Sequence, residues 1–114
     1  CCAEFMNLIG DVEGKTAVII DDIVDTAGSL CEGARALQKR GAKRIFASCS
    51  HAILSDLAVQ RINDSPIEKL IITDTIPLPP EKASDKIVVL SLAEPIADVI
   101  ILIQSHRSVS QLFR

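Results

Sequence analysis

Tryptophan and tyrosine are absent from this 114-residue chain, and phenylalanine occurs only three times. So few aromatics leave no stacking platform of the kind that holds single-stranded nucleic acid. An excess of basic charge is also lacking. Twelve Lys and Arg against 15 Asp and Glu give a net charge of −3, which argues against nucleic acid or an anionic membrane surface as the main partner. No apolar run approaches the roughly 18 residues of a membrane span, and no signal-peptide pattern is present. The four cysteines, Cys1, Cys2, Cys31 and Cys49, form no CxxC pair and no zinc-ligand spacing with His51 or His106. That usage favours reduced thiols over a disulfide framework, and with it a cytoplasmic location.

What is present is enough apolar material for a core. Hydrophobic residues make up 48% of the chain and no segment is of low complexity, so residues 1–114 read as one domain or a piece of one. The first residue is Cys1 rather than Met, which leads us to expect a missing upstream part.

Apolar runs alternate with helical patterns along the chain. An entry segment over residues 1–15 ends in Gly10 and a Glu13-Gly14-Lys15 turn. Thr16–Ile20 reads as a strand buried on both faces. Ser29–Arg40 reads as a helix with Leu30, Ala34 and Leu37 on one face, Glu32, Arg35, Gln38 and Lys39 on the other, and Gly41 as its stop. Further strands are expected at Arg44–Ser50, Glu68–Thr73 and Ile87–Leu90. A short helix is expected at Asp56–Ile62, with Ser55 as its N-cap. Ser91-Leu92-Ala93-Glu94 matches a capping box and opens a last helix, although Val99–Ile103 is partly β-branched and also fits a strand. This alternation predicts an α/β domain, a Rossmann-like parallel sheet with helices on both faces. Ligands of such sheets sit beyond the carboxyl ends of the strands. The Asp21–Ser29, Ser50–Ser55 and Asp74–Pro77 loops all fall on that edge.

The first of these loops concentrates the chemistry. The apolar run ends in Asp21 and Asp22, and small or hydroxylated residues, Asp25-Thr26-Ala27-Gly28-Ser29, lead into the helix. Unpaired N–H groups of a first helical turn attract a phosphate dianion, small side chains let it approach, and Thr26 and Ser29 add hydroxyl donors. An ordinary turn with Ser and Thr as caps is the plainer alternative, but it leaves the acids unexplained. Two adjacent carboxylates are costly to bury without partners. Exposed at a strand end they can accept hydrogen bonds from a sugar cis-diol or help to hold Mg²⁺. Asp25 can cap the helix or orient the substrate. His51 fits a structural role at least as well as a ligand role, and Asp74 and Thr75 lie on the same edge.

The stretch Ile19–Ser29 resembles the phosphoribosyl diphosphate (PRPP) binding signature of the type I phosphoribosyltransferase fold. With Ile9-Gly10-Asp11-Val12, Ser50–Ser55, Thr73–Pro77 and the tail Ser108–Phe113, the chain resembles the ribose-phosphate diphosphokinase (PRPP synthetase) family over nearly its whole length. The resemblance implies that the C1 hydroxyl of ribose 5-phosphate attacks the β-phosphorus of MgATP, giving PRPP and AMP. It implies that Asp21 and Asp22 hold the ribose hydroxyls, directly or through Mg²⁺, and that Asp25, Thr26, Ala27, Gly28 and Ser29 wrap the 5-phosphate. Ser108, Ser110 and Phe113 are similar to part of a regulatory site for phosphate or ADP between subunits of a homo-oligomer.

Ala27 and Ser29 replace the family's more usual Gly and Thr, and Ile101 and Leu102 stand at commonly basic helix positions. By the same likeness the chain is the C-terminal third, roughly, of a two-domain enzyme. Most of the ATP site and the catalytic basic loop would then precede Cys1, and no full turnover is expected from this chain alone. Two other readings are a non-catalytic subunit that associates with such synthetases and a phosphoribosyltransferase that consumes PRPP. Retention of Asp21, Asp22, Asp25, Thr26, Gly28 and Ser29 speaks against the former. The Ser50–Ser55 and tail motifs speak against the latter.

Overall fold

The computed structural model describes residues 10–113. Cys1, Cys2, Ile9 of the Ile9–Val12 motif and the first part of the expected entry segment lie outside the described residues. Four strands, β1 (Thr16–Val24), β2 (Arg44–Ala52), β3 (Lys69–Thr73) and β4 (Ile87–Leu90), form one parallel sheet in the order β1-β2-β3-β4. Helices α1 (Gly28–Lys39) and α2 (Ala58–Asn63) make the first two crossovers, and α3 (Ala93–Gln104) follows β4. The β3–β4 crossover has only a 3₁₀ turn at Pro80–Lys82, and another 3₁₀ turn spans Val109–Phe113.

The α/β class and the parallel sheet match the sequence expectation. The layering differs from it. Ile45, Ala47 and Cys49 of β2, Leu70 and Ile72 of β3, Leu30, Cys31 and Ala34 of α1, and Ala58 and Ile62 of α2 form a single core. Both crossover helices therefore cover one face. Right-handed crossovers between strands laid down in sequential order return on the same side, and only a reversal of strand order sends a helix to the other. Among the described residues the order never reverses. Among the described residues nothing covers the second face at β1: Val18 is 58% and Ile20 81% exposed, so β1 is not buried on both sides. Val88 and Leu90 of β4 are exposed as well. Val99–Ile103 is helical, and of α3 only Leu102 is buried.

Leu54, Ile62, Ile67, Leu70 and Ile72 are the largest fully buried side chains, each contributing about 1.5–3 kcal/mol by removal from water. Strand β1 runs four residues beyond the expected end, through both acids to Val24, because it pairs with β2 as far as Val24↔Ala52. Ser55 is not the N-cap of α2. Leu57 holds that position, without a side-chain cap, and the Ser55 hydroxyl is turned to Asp25 instead. Nor does the capping box of α3 close on itself. Ser91 Oγ accepts from the Ala93 N–H at 3.1 Å, while the Leu92 N–H goes to Asp74 Oδ1 at 2.8 Å.

Gly41 ends α1 as expected, in the left-handed conformation (φ +89°). The N–H of Gly41 donates to the Gln38 carbonyl at 3.0 Å and that of Ala42 to the Leu37 carbonyl at 3.1 Å, the paired bonds of a Schellman motif. A Cβ at Gly41 would lie 3.0 Å from Glu13 Cγ. Gly41→Ala therefore adds both left-handed strain and a close contact, and should destabilise the fold by about 1–2 kcal/mol. Urea unfolding monitored by circular dichroism checks this, with an unchanged midpoint counting against it.

Candidate functional site

The carboxyl ends of β1 and β2 build the site together. Pairing of the two strands carries on past their ends, since the Val24 carbonyl accepts from the N–H groups of both Ile53 (2.9 Å) and Leu54 (3.2 Å). The Asp25 carbonyl accepts from the Ser55 N–H at 3.0 Å, and Asp25 Oδ1 accepts from the Ser55 hydroxyl. The Thr26 carbonyl accepts from Arg61 Nη1 at 2.7 Å. Three consecutive carbonyls, of Val24 at the end of β1 and of Asp25 and Thr26 in the loop that follows, are thus tied to the segment between Ile53 and Arg61.

That loop ends at Ala27, the N-cap residue of α1, which is left-handed (φ 62°, ψ 11°) and supplies no side-chain cap. For a residue with a Cβ this conformation costs about 1–2 kcal/mol. The methyl group is buried in the core. Helix α1 has no acidic residue in its first turn, so its N-terminal partial charge is not neutralised from within the turn. Gly28 has ordinary φ, and a Cβ there would meet only Thr26 Oγ1 at 3.8 Å. Its lack of a side chain keeps the space open rather than relieving the backbone.

Asp21, Ile23 and Val24 together with Asp25, Thr26, Ala27, Gly28, Ser29 and Leu30 line a cavity of about 230 Å³. Pockets for drug-sized ligands occupy roughly 300–1,000 Å³, and this cavity is smaller. Asp22 does not line it. The acids sit inside β1 rather than beyond its end. The Asp22 N–H bonds Asp21 Oδ1 at 2.9 Å and the Ile23 N–H bonds Asp22 Oδ1 at 2.8 Å. Asp22 is missing from the run of residue pairs with β2, and the alternating burial of β1 changes phase between Ile19 and Val24. The Asp21 side chain, foremost, and the Ile23 N–H hold the Asp22 carboxyl below the usual carboxylate range. Both acids are exposed. Among the described residues no cluster of three or more His, Cys, Asp or Glu is placed to hold a metal ion.

The third loop, Asp74–Pro77, is tied to the end of β2. Thr75 Oγ1 donates to the Ser50 carbonyl at 3.0 Å and lies 2.8 Å from His51 Nδ1. Either atom of the His51–Thr75 contact can be the donor, according to the tautomer of the ring. In both cases His51 is fixed by Thr75 rather than free. Asp74 is occupied too, held low by Ser91 and then by the Leu92 N–H. Burial pushes the Cys31 and Cys49 thiols up, and both are free and buried. In the tail Ser108 Oγ and Ser110 Oγ are 2.7 Å apart, Phe113 is 82% exposed, and the turn packs on α3. The structure therefore gathers Asp21 and residues 25–29 around one cavity, sets Asp22 beside it, and keeps the tail residues on another element. Sequence reasoning missed Arg61 and the Ser55 contact. Arg61 reaches 35 positions back along the chain, and no local pattern marks such a bond.

Residues 3–114 match the profile of the phosphoribosyl synthetase-associated domain. Ribose-phosphate pyrophosphokinase 1 of Lactococcus lactis is 52% identical over 111 residues, 97% of this chain and 34% of that protein. Ribose-phosphate pyrophosphokinase of Oceanobacillus iheyensis is 53% identical over 111 residues, 97% of this chain and 35% of that protein. The crystal structure of phosphoribosylpyrophosphate synthetase from Mycobacterium smegmatis superposes with a TM-score of 0.82 at 34% identity, over 86% of this chain and 33% of that one. The chain spans about a third of the length of these relatives. No helix among the described residues is long and apolar enough to cross a membrane.

Asp74 stabilises the start of α3 as a carboxylate. Its depressed pKa means that this contribution is complete above the ordinary value of 3.8 and is lost as the pH falls through the lower folded value. Acidification through that window, or Asp74→Ala at neutral pH, should speed amide exchange at Leu92 and Ala93 while Ile71 in β3 stays protected. Unchanged exchange at Leu92 in the variant would contradict the assignment.

Proposed function

Because this chain belongs to the phosphoribosyl synthetase-associated domain family, we propose that it is the ribose 5-phosphate half of a ribose-phosphate diphosphokinase. The observation that carries the reading is the cavity lined by Asp21 and residues 25–29, an acid and an anion-binding loop a few residues apart. In this reading the 5-phosphate lies against the first turn of α1, with Thr26 and Ser29 as hydroxyl donors and Gly28 leaving room for it. Asp25 holds the loop through Ser55 rather than touching the phosphate. Asp21 accepts hydrogen bonds from the ribose hydroxyls. The sugar is then oriented so that its C1 hydroxyl attacks the β-phosphorus of ATP. The bond from that phosphorus to the bridging α–β oxygen breaks, AMP leaves, and PRPP forms.

Asp21 and Asp22 fit Mg²⁺ as a pair of exposed, adjacent carboxylates. With no third His, Cys, Asp or Glu grouped with them among the described residues, the ion would take its other positions from substrate oxygens and water, as Mg²⁺ commonly does. When bound it supplies neutralisation of phosphoryl charge. The ATP site and the catalytic basic loop belong, in this proposal, to the two thirds of the relatives that the chain does not span, so the chain alone binds sugar phosphate without turning over. A cytoplasmic enzyme, assembled as a homo-oligomer and regulated by phosphate or ADP near Ser108, Ser110 and Phe113, completes the reading. The exposed apolar side chains Ile96, Ile100, Ile101 and Ile103 of α3 support such assembly.

Calorimetric titration with ribose 5-phosphate, with and without Mg²⁺, tests the half-site. Binding should strengthen with Mg²⁺ and weaken about tenfold or more in Asp21→Ala, a loss equivalent to about 1.4 kcal/mol. Gly28→Val should weaken it comparably by filling the cavity. Absence of binding, or binding indifferent to both substitutions, would refute the reading.

A further inference from the structure

We infer that Arg61 is a positioning residue that sets which way the Thr26–Ala27 peptide faces, and so whether the loop presents a donor or an acceptor to the phosphate. The inference rests on the reading of residues 25–29 as the 5-phosphate loop. A peptide unit has two ends, and a phosphate dianion is held by the N–H and repelled by the C=O. In this loop the oxygen of the unit belongs to Thr26 and is bound by Arg61 Nη1 at 2.7 Å. The N–H belongs to Ala27, in the lining of the cavity.

The orientation is not the one the backbone would choose. Rotating this peptide plane changes the ψ of Thr26 and the φ of Ala27 together. As it stands, Ala27 is at φ 62°, in the region an alanine avoids. A turn of the plane would bring Ala27 back to negative φ, relieve the strain, and aim the Thr26 carbonyl at the ligand. A left-handed non-glycine residue persists only where its surroundings over-determine it. Here the surroundings are named. The carbonyls before Thr26 are bound by main-chain N–H groups, Val24 by Ile53 and Leu54 and Asp25 by Ser55. Thr26 alone relies on a side chain. Arg61 is half-buried near the end of α2, whose own packing through Ala58 and Ile62 fixes where the guanidinium starts. The short helix α2 thus acts on the phosphate loop from the side away from the ligand.

Arg61→Leu removes the donor, and ribose serves as the ligand without a phosphate. In the 114-residue chain, calorimetry should show ribose 5-phosphate binding reduced tenfold or more, with the response to ribose unchanged. The amide-to-α-proton coupling of Ala27 should move to that of a negative φ. Adding Ala27→Gly to Arg61→Leu should restore part of the affinity, because glycine accepts positive φ without strain. Arg61→Gln keeps a neutral donor and should retain most of the binding, while Arg61→Met, which lacks the donor, serves in place of Arg61→Leu if that variant does not fold.

Equal losses for ribose and ribose 5-phosphate would overturn the inference. So would an unmoved Ala27 coupling, or a double variant no better than the single one. A fall in Arg61→Gln as large as in Arg61→Leu would assign the effect to charge and overturn it too. If the unsubstituted chain binds no ribose 5-phosphate, the functional reading fails. The Ala27 coupling in Arg61→Leu still decides whether Arg61 holds the peptide.

Discussion

The continuation of β1–β2 pairing beyond the regular ladder is the constraint on which the rest of this structure depends. Where most strands separate at their carboxyl ends, the Val24 and Asp25 carbonyls go on accepting from Ile53, Leu54 and Ser55. A buried or half-buried carbonyl needs a partner, and these bonds supply partners on one side only. The other side of the loop is therefore free to turn N–H groups and hydroxyls outward. The cavity, the left-handed Ala27 and the entry into α1 all follow from that division.

The same ends carry a concentration of backbone strain. Ala27, Leu54 and Asp56 all have positive φ without being glycine, and they lie in the two loops that the hydrogen bonds join. Leu54 can hold its conformation because its side chain is 1% exposed and packs into the core. Strain of this kind gathers where a site must be rigid before its ligand arrives. The opposite end of the sheet is ordinary by comparison. There Arg44 makes an exposed ion pair with Glu68 at 2.8 Å and lies over the Phe46 ring at 4.9 Å. Exposed pairs contribute little, commonly below about 1 kcal/mol.

One face of the sheet is left uncovered by the described residues, in a chain that spans about a third of the length of its relatives. Val18 and Ile20 on the bare face are apolar at high exposure, a pattern suited to burial rather than to water. Among the described residues strand β1, which carries Asp21 and Asp22, is also an edge strand. In doubly wound sheets the ligand crevice lies where strand order reverses. Of the strands in this chain, β1 is the one at which a reversal would put the acids in such a crevice.

Much was legible from residue order alone. Local patterns located the four strands and three α-helices of the described residues, leaving Val99–Ile103 open to a strand and missing both 3₁₀ turns, with β4 matching its expected bounds and Gly41 marking the end of α1. The run from Asp21 to Ser29 stood out in the same way, and the structure sets Asp21 and residues 25–29 around one cavity, with Asp22 left out of its lining. Features set by distant partners were not legible. The strand ran on through the acids because β2 lies beside it, Ser55 served Asp25 rather than its own helix, and Asp74 capped α3 from 18 positions away. The sequence by itself determined which residues are acidic, small or hydroxylated and in what order they follow β1. Only the tertiary structure decided which way their peptides face, because that is settled by hydrogen bonds between segments that the chain order keeps apart.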